Sequence, residues 1–213
     1  MKSICLLAVL AATFAACNRT TTNTTQTQIV STPTHSSSKT NAEVNETVVF
    51  PPSRADKFPE SWFGNWAGTL EIYNAKGLSQ SIPMECNMAP TDTAGVFTWN
   101  IIYGTDRVKG LRPYLLRTID AGKGQYLCDE MNTIKMESYL LGNKLFCSYI
   151  VEGNAIVSTY EKTTDGKMLF EIIFGKEKIV STTGGAKVGD ETIPPVRTMP
   201  VLISQKAVLM KRK

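Results

Sequence analysis

Residues 58–213 predict an all-β domain, an antiparallel up-and-down β-barrel of about 8–10 strands, because a meander of that size loses its exposed edges by closing on itself. Three observations carry this. Apolar and polar residues alternate in short runs, with no long stretch of helical period. Gly, Asn and Asp recur between the runs as turn residues. Most connections are so short that they join only neighbouring antiparallel strands, since a parallel crossover takes a dozen residues or more.

The elements follow in order. Phe58-Pro59-Glu60-Ser61-Trp62 reads as one helical turn ahead of the first strand, Gly64–Tyr73. The turn Asn74–Gly77 leads into Leu78–Met88, where Leu78, Gln80, Ile82, Met84, Cys86 and Met88 share one face and Ser79, Ser81, Glu85 and Asn87 the other. In the third strand, Gly95–Tyr103, the residues Phe97, Trp99, Ile101 and Tyr103 alternate with Val96, Thr98, Asn100 and Ile102. Leu111–Asp120 and Gln125–Asp129 are the fourth and fifth. The sixth, Ile134–Leu141, sets Lys135, Glu137 and Tyr139 against Ile134, Met136 and Leu140. Gly142-Asn143 turns into Lys144–Glu152, Gly153-Asn154 into Ala155–Lys162, and Thr164–Gly166 into Lys167–Phe174. The last strand, Pro200–Lys211, follows one long connection, Gly175–Thr198, whose length predicts a lid over one mouth, a docking loop or a mobile insertion. Glu71, Glu85, Glu152, Glu161 and Glu171 are spread over the strands, which speaks against a membrane-spanning barrel, because charges on a lipid face are destabilising near mid-membrane.

The chain ahead of this domain divides in two. Lys2 precedes an apolar run from Ile4 to Phe14, which at eleven residues falls short of the roughly 20 that cross a bilayer. Ala15-Ala16-Cys17 then supplies small residues for cleavage, so residues 1–16 read as a signal peptide. Phe14-Ala15-Ala16-Cys17 resembles the lipobox of bacterial lipoproteins. The resemblance implies acylation (palmitate among the chains) of the thiol and new amino terminus of Cys17, and hence a bacterial envelope protein anchored to a membrane, with the outer membrane expected; Asn18-Arg19-Thr20, with no acidic run, favours its periplasmic face. Residues 17–57 are dominated by Thr, Ser, Asn and Gln, too polar to offset the entropy of ordering, and read as a disordered tether. A flexible chain of this length has a mean reach of about 35 Å.

At the start of the barrel, Phe63-Gly64-Asn65-Trp66 resembles the Gly-x-Trp opening of lipocalins and the wider calycin group, which includes the ten-stranded fatty-acid-binding barrels. The resemblance implies that Gly64 and Trp66 close one end of the barrel, with Lys211 or Arg212 from the last strand stacking on the indole.

Several classes of chemistry have no support. The one histidine, His35, lies in the tether, which removes the commonest general base and every Ser-His or Cys-His pairing from the domain. Cys86, Cys128 and Cys147 lack metal-ligand spacing; being an odd number, they form at most one disulfide, and Cys86 and Cys147 fall among apolar neighbours as small buried hydrophobes. Asp129 and Glu130 are adjacent and so point to opposite faces, not together at one bond. No phosphate loop or dinucleotide fingerprint is present and no cofactor is indicated. A net charge of +4 in an exported chain does not favour nucleic acid and at most gives a modest attraction to anionic envelope surfaces.

These observations predict a chain that is not an enzyme. Its barrel is expected to bind a small hydrophobic or amphipathic ligand, with Trp99, Tyr103, Met84, Met88, Tyr149 and Phe170 lining the interior. The alternative is a side-chain-filled barrel that serves as a structural or interaction domain. The expected partners are a membrane, through the lipid anchor, that ligand, and an envelope protein.

Overall fold

The computed structural model describes residues 57–213. The expected signal, Cys17 and the tether up to residue 56 lie outside the described residues. A 3-10 turn, Glu60–Trp62, leads into β1 (Gly64–Asn74), β2 (Gly77–Pro90), β3 (Val96–Tyr103), β4 (Leu111–Asp120) and β5 (Gln125–Asp129). These are followed by β6 (Lys135–Leu141), β7 (Lys144–Val151), β8 (Asn154–Lys162) and β9 (Lys167–Lys176). Four short strands, β10 (Ser181–Thr183), β11 (Lys187–Val188), β12 (Glu191–Thr192) and β13 (Val196–Thr198), precede β14 (Val201–Lys211). Strands β1 to β9 each pair with the next, and β14 inserts between β9 and β1 to close an antiparallel barrel of ten strands. The ten predicted strands are these ten, with ends displaced by a residue or two.

The closing seam joins the two ends of the domain. Trp66 faces Lys211 and Tyr73 faces Ser204 at its two limits. Gly68 is required there for close approach: a Cβ on it would sit 2.2 Å from the carbonyl oxygen of Val208. The expected plug is also present. Trp62 and Trp66 are buried, and Trp66 Nε1 donates a hydrogen bond to the Trp62 carbonyl at 2.8 Å, which satisfies an indole N–H that burial would otherwise orphan. Lys211 takes the place over the Trp66 ring, 5.6 Å from its centroid. Arg212 does not; its backbone N–H donates to Asn65, and its guanidinium joins Arg107 on Glu85 across the outer wall, at 3.1 and 2.5 Å.

Alternation puts Trp66, Leu70, Met84, Cys86, Met88, Trp99, Leu116, Met168, Phe170 and Leu209 inside, where all are buried. Each such side chain contributes about 1.5–3 kcal/mol by leaving water. Outside, Lys135, Glu137 and Tyr139 are exposed as expected, and Lys144 bridges Glu161 and Glu171 at 3.4 and 3.1 Å.

The long connection after β9 is not structureless. Its β-branched segments Ser181–Thr183 and Val196–Thr198 pair as one ladder, and Lys187–Val188 with Glu191–Thr192 as a second, forming a hairpin arm. The side chains of its four strands are exposed.

Candidate functional site

The interior has two unlike ends. At the pole where β1 begins, Phe58 and Trp62 pack edge-to-face at 4.7 Å, Phe58 meets Tyr126 at 4.9 Å, and Trp62 lies 6.2 Å from Trp99. Trp99 in turn meets Tyr160 at 5.2 Å and Tyr160 meets Phe170 at 5.0 Å. Edge-on and tilted ring contacts of this kind add about 0.5–1.5 kcal/mol each beyond burial, so this pole is dry and stiff. Toward the other pole the inward residues loosen: Ile72, Ile82, Tyr103, Arg112, Tyr149, Val151 and Ile203 are half-buried. This second pole is the mouth.

All six predicted lining residues face inward and fall on two levels. Met88 and Trp99, cross-strand partners, lie with Phe170 toward the plug. Met84 and Tyr103, also cross-strand partners, lie with Tyr149 toward the mouth. Cys86, Cys128 and Cys147 are free thiols and form no disulfide. Burial raises the pKa of each, which makes them weak nucleophiles. Among the described residues, no group of three or more His, Cys, Asp or Glu is arranged to hold a metal.

The polar part of the interior is not visible in the sequence pattern. On β4, Arg112 and Tyr114 share the inward face with the buried Leu116. After β5, Glu130 continues the inward series of Tyr126 and Cys128, while Asp129 points the other way, to Arg117 at 2.9 Å. Glu130 is 7% exposed. Its Oε2 accepts from Asn132 Nδ2 at 3.0 Å, and its Oε1 has no partner. Arg112 donates through Nη1 to the carbonyls of Lys109 and Leu111, both at 2.9 Å, and its buried Nε also has no partner. Burial holds the Glu130 carboxyl above the usual glutamate range, against the opposing pull of Asn132, Tyr114 and Arg112. Burial likewise pushes up the phenols of Tyr103, Tyr114 and Tyr149, so they stay protonated hydrogen-bond donors. The turn that carries Glu130 is strained: Met131 and Thr133 adopt φ of 55° and 86°, held by Met131 N–H on Asp129 and Ile134 N–H on Asn132. A charged pair on an otherwise apolar strand face was the available signal; it is hidden because Glu130 lies one residue beyond its strand.

A second concavity, a groove of about 500 Å³, lies along the seam of β1, β14 and β9, against Thr69, Glu71, Glu171, Lys206 and Val208. Lys206 pairs with Glu71 at 3.7 Å and Glu171 with Lys144, so its charges are matched from within.

No family model matches the chain, and no curated protein does. Among solved structures the barrel is similar to a protein of unknown function from the DUF3598 family of Nostoc punctiforme PCC 73102, with TM-score 0.50 and 9% identity over 72% of this chain and 48% of that one. The chain thus spans about half the length of that relative. It is also similar to the S-type phycobiliprotein lyase CPES from Guillardia theta, with TM-score 0.44 and 10% identity over 72% of this chain and 90% of that one. The expectation that the chain is not an enzyme does not stand. The physical reason is that it rested on histidine, whereas the interior holds a buried carboxyl, a guanidinium and several phenols. At these identities the likeness shows the fold alone: a lipocalin-like antiparallel barrel.

Proposed function

We propose that the barrel binds one small amphipathic molecule in its interior, apolar part toward Trp99, Met88 and Phe170 and polar part at the mouth. The observation that carries this reading is the division of the inward surface into an aromatic, plugged end and a half-buried end with tyrosines, Arg112 and Glu130. A barrel meant only to be filled by side chains has no reason to bury ionisable groups with unpartnered atoms, because each costs free energy when left unmet. The lipobox-like Phe14-Ala15-Ala16-Cys17 supports a membrane-anchored envelope lipoprotein as the carrier of this domain.

Two measurements test these parts separately. Native mass spectrometry of the full chain, with anilinonaphthalene sulfonate as a fluorescent probe, is expected to reveal a bound small molecule or a saturable probe site. A barrel that retains nothing and leaves the probe dark overturns the binding reading. Cys17→Ala is expected to move the protein from the membrane fraction to the soluble fraction. Unchanged fractionation, together with an intact mass lacking acyl chains in the parent protein, overturns the anchor.

A further inference from the structure

We infer that Glu130 and Arg112 form a head-group subsite selecting a ligand that offers an acceptor and an N–H donor side by side, a carboxamide or lactam, over a carboxylate. This rests on the reading of the barrel as a small-molecule binder and adds the chemistry of the bound head.

Two buried hydrogen-bonding atoms stand unmet in this part of the interior. Glu130 is more than nine-tenths buried, and only one of its carboxyl oxygens is used, by Asn132. The other is buried without a partner at hydrogen-bond distance, although the Tyr114 hydroxyl acts on the same carboxyl. Arg112 spends Nη1 on the carbonyls of Lys109 and Leu111, and its Nε is a buried donor without a partner. Leu115 pairs with Asp129, so Glu130, the next residue, lies beside Tyr114, and Arg112 follows two residues along the same inward face of β4, which puts acceptor and donor in one neighbourhood. The same field includes Cys128 and Cys147, both neutral as thiols. A ligand N–H on Glu130 Oε1 and a ligand carbonyl under Arg112 Nε satisfy both orphans at once. A carboxylate meets Arg112 equally well but brings a second negative charge against Glu130, where low polarity strengthens the repulsion. An alkyl tail attached to such a head runs from this level past Met84 toward Trp99 and Phe170.

The test is displacement of anilinonaphthalene sulfonate from the full chain by dodecanamide, dodecanoate and dodecyl methyl ether at mildly alkaline pH. Dodecanamide is expected to bind about tenfold more tightly than either of the others, the factor that one hydrogen bond to a charged group supplies. Glu130→Gln is expected to erase the preference over dodecanoate, and Arg112→Met the preference over an alkyl chain without a head. Dodecanoate or the ether binding the parent protein as tightly as the amide overturns the subsite while leaving the apolar interior in place. Failure of the probe and of all three compounds to bind instead removes the binding reading itself. Because the parent protein alone yields the three-way ratio, the outcome does not depend on the variants folding.

Discussion

Lys211 spans the indole of Trp66 across the seam between the first and last strands, its ammonium 5.6 Å from the ring centroid and its stem lying over Gly64. The contact combines a packed aromatic with a cation at the water boundary, so its parts are separable. Lys211→Met keeps the stem and removes the charge, and a urea titration is expected to register a loss of about 0.5–1 kcal/mol. Trp66→Ala removes the buried ring and the Trp62 hydrogen bond and is expected to cost about 3–5 kcal/mol. A larger effect from Lys211→Met than from Trp66→Ala contradicts this order.

Gly68→Ala tests the seam from the other side. Its Cβ would lie 2.2 Å from the Val208 carbonyl oxygen, a backbone atom that moves only if β14 moves. A destabilisation of about 1–3 kcal/mol is expected, with faster hydrogen exchange at Leu209 and Met210 than in β4 to β7. Protection at the seam equal to that of the parent protein overturns the account.

Glu130 sets a pH signature. Burial raises its pKa, so below the ordinary glutamate range both folded and unfolded chains hold the proton and no penalty arises. As pH climbs from that range through the elevated folded value, the unfolded chain releases the proton first, and stability falls. Glu130→Gln carries no such titration. Its melting temperature relative to the parent is therefore expected to rise with pH across mildly acidic to neutral conditions; a difference that is flat or shrinking contradicts the burial assigned to the carboxyl.

Asp129 behaves oppositely. The Met131 N–H, followed by Arg117, lowers its pKa, so it stabilises the fold above the ordinary aspartate range and loses that contribution as pH falls through the depressed folded value. Asp129→Asn is expected to cost about 1.5–3 kcal/mol at neutral pH and much less in acid, by chemical denaturation at the two conditions. An equal cost at both would show the charge to be idle.

The three interior thiols give a simple readout of enclosure. Cys86, Cys128 and Cys147 are free and have raised pKa values. A thiol reagent at mildly alkaline pH is expected to modify them slowly in the folded domain and rapidly in urea. Fast modification of Cys86 without denaturant contradicts its placement.

The barrel is legible in the sequence because strand residues announce themselves locally. The alternation of Phe97, Trp99, Ile101 and Tyr103, and turns such as Gly142-Asn143, fix face and connection from a few neighbouring residues. The six lining positions follow from the same parity. The inward polar residues do not, because β4 and β5 come together only in the folded sheet, and linear spacing carries no trace of which charged side chain turns inward past a strand end. The choice of Lys211 over Arg212 follows from the same alternation, since Lys211 continues the inward series Gln205, Ala207 and Leu209 while Arg212 turns outward to Glu85. The hairpin arm looks like one long connection in sequence because its ladders have only two or three residues each and leave almost no periodicity.

The pairing of β1 with β14 has a consequence for how the domain comes into being. Until the final residues are available, two strand rims stand bare, each a template for another polypeptide. Closure therefore depends on contacts between the most distant parts of the described domain, the non-local kind that slows folding. Losing β14 would leave an open sheet with two bare rims in place of a closed barrel.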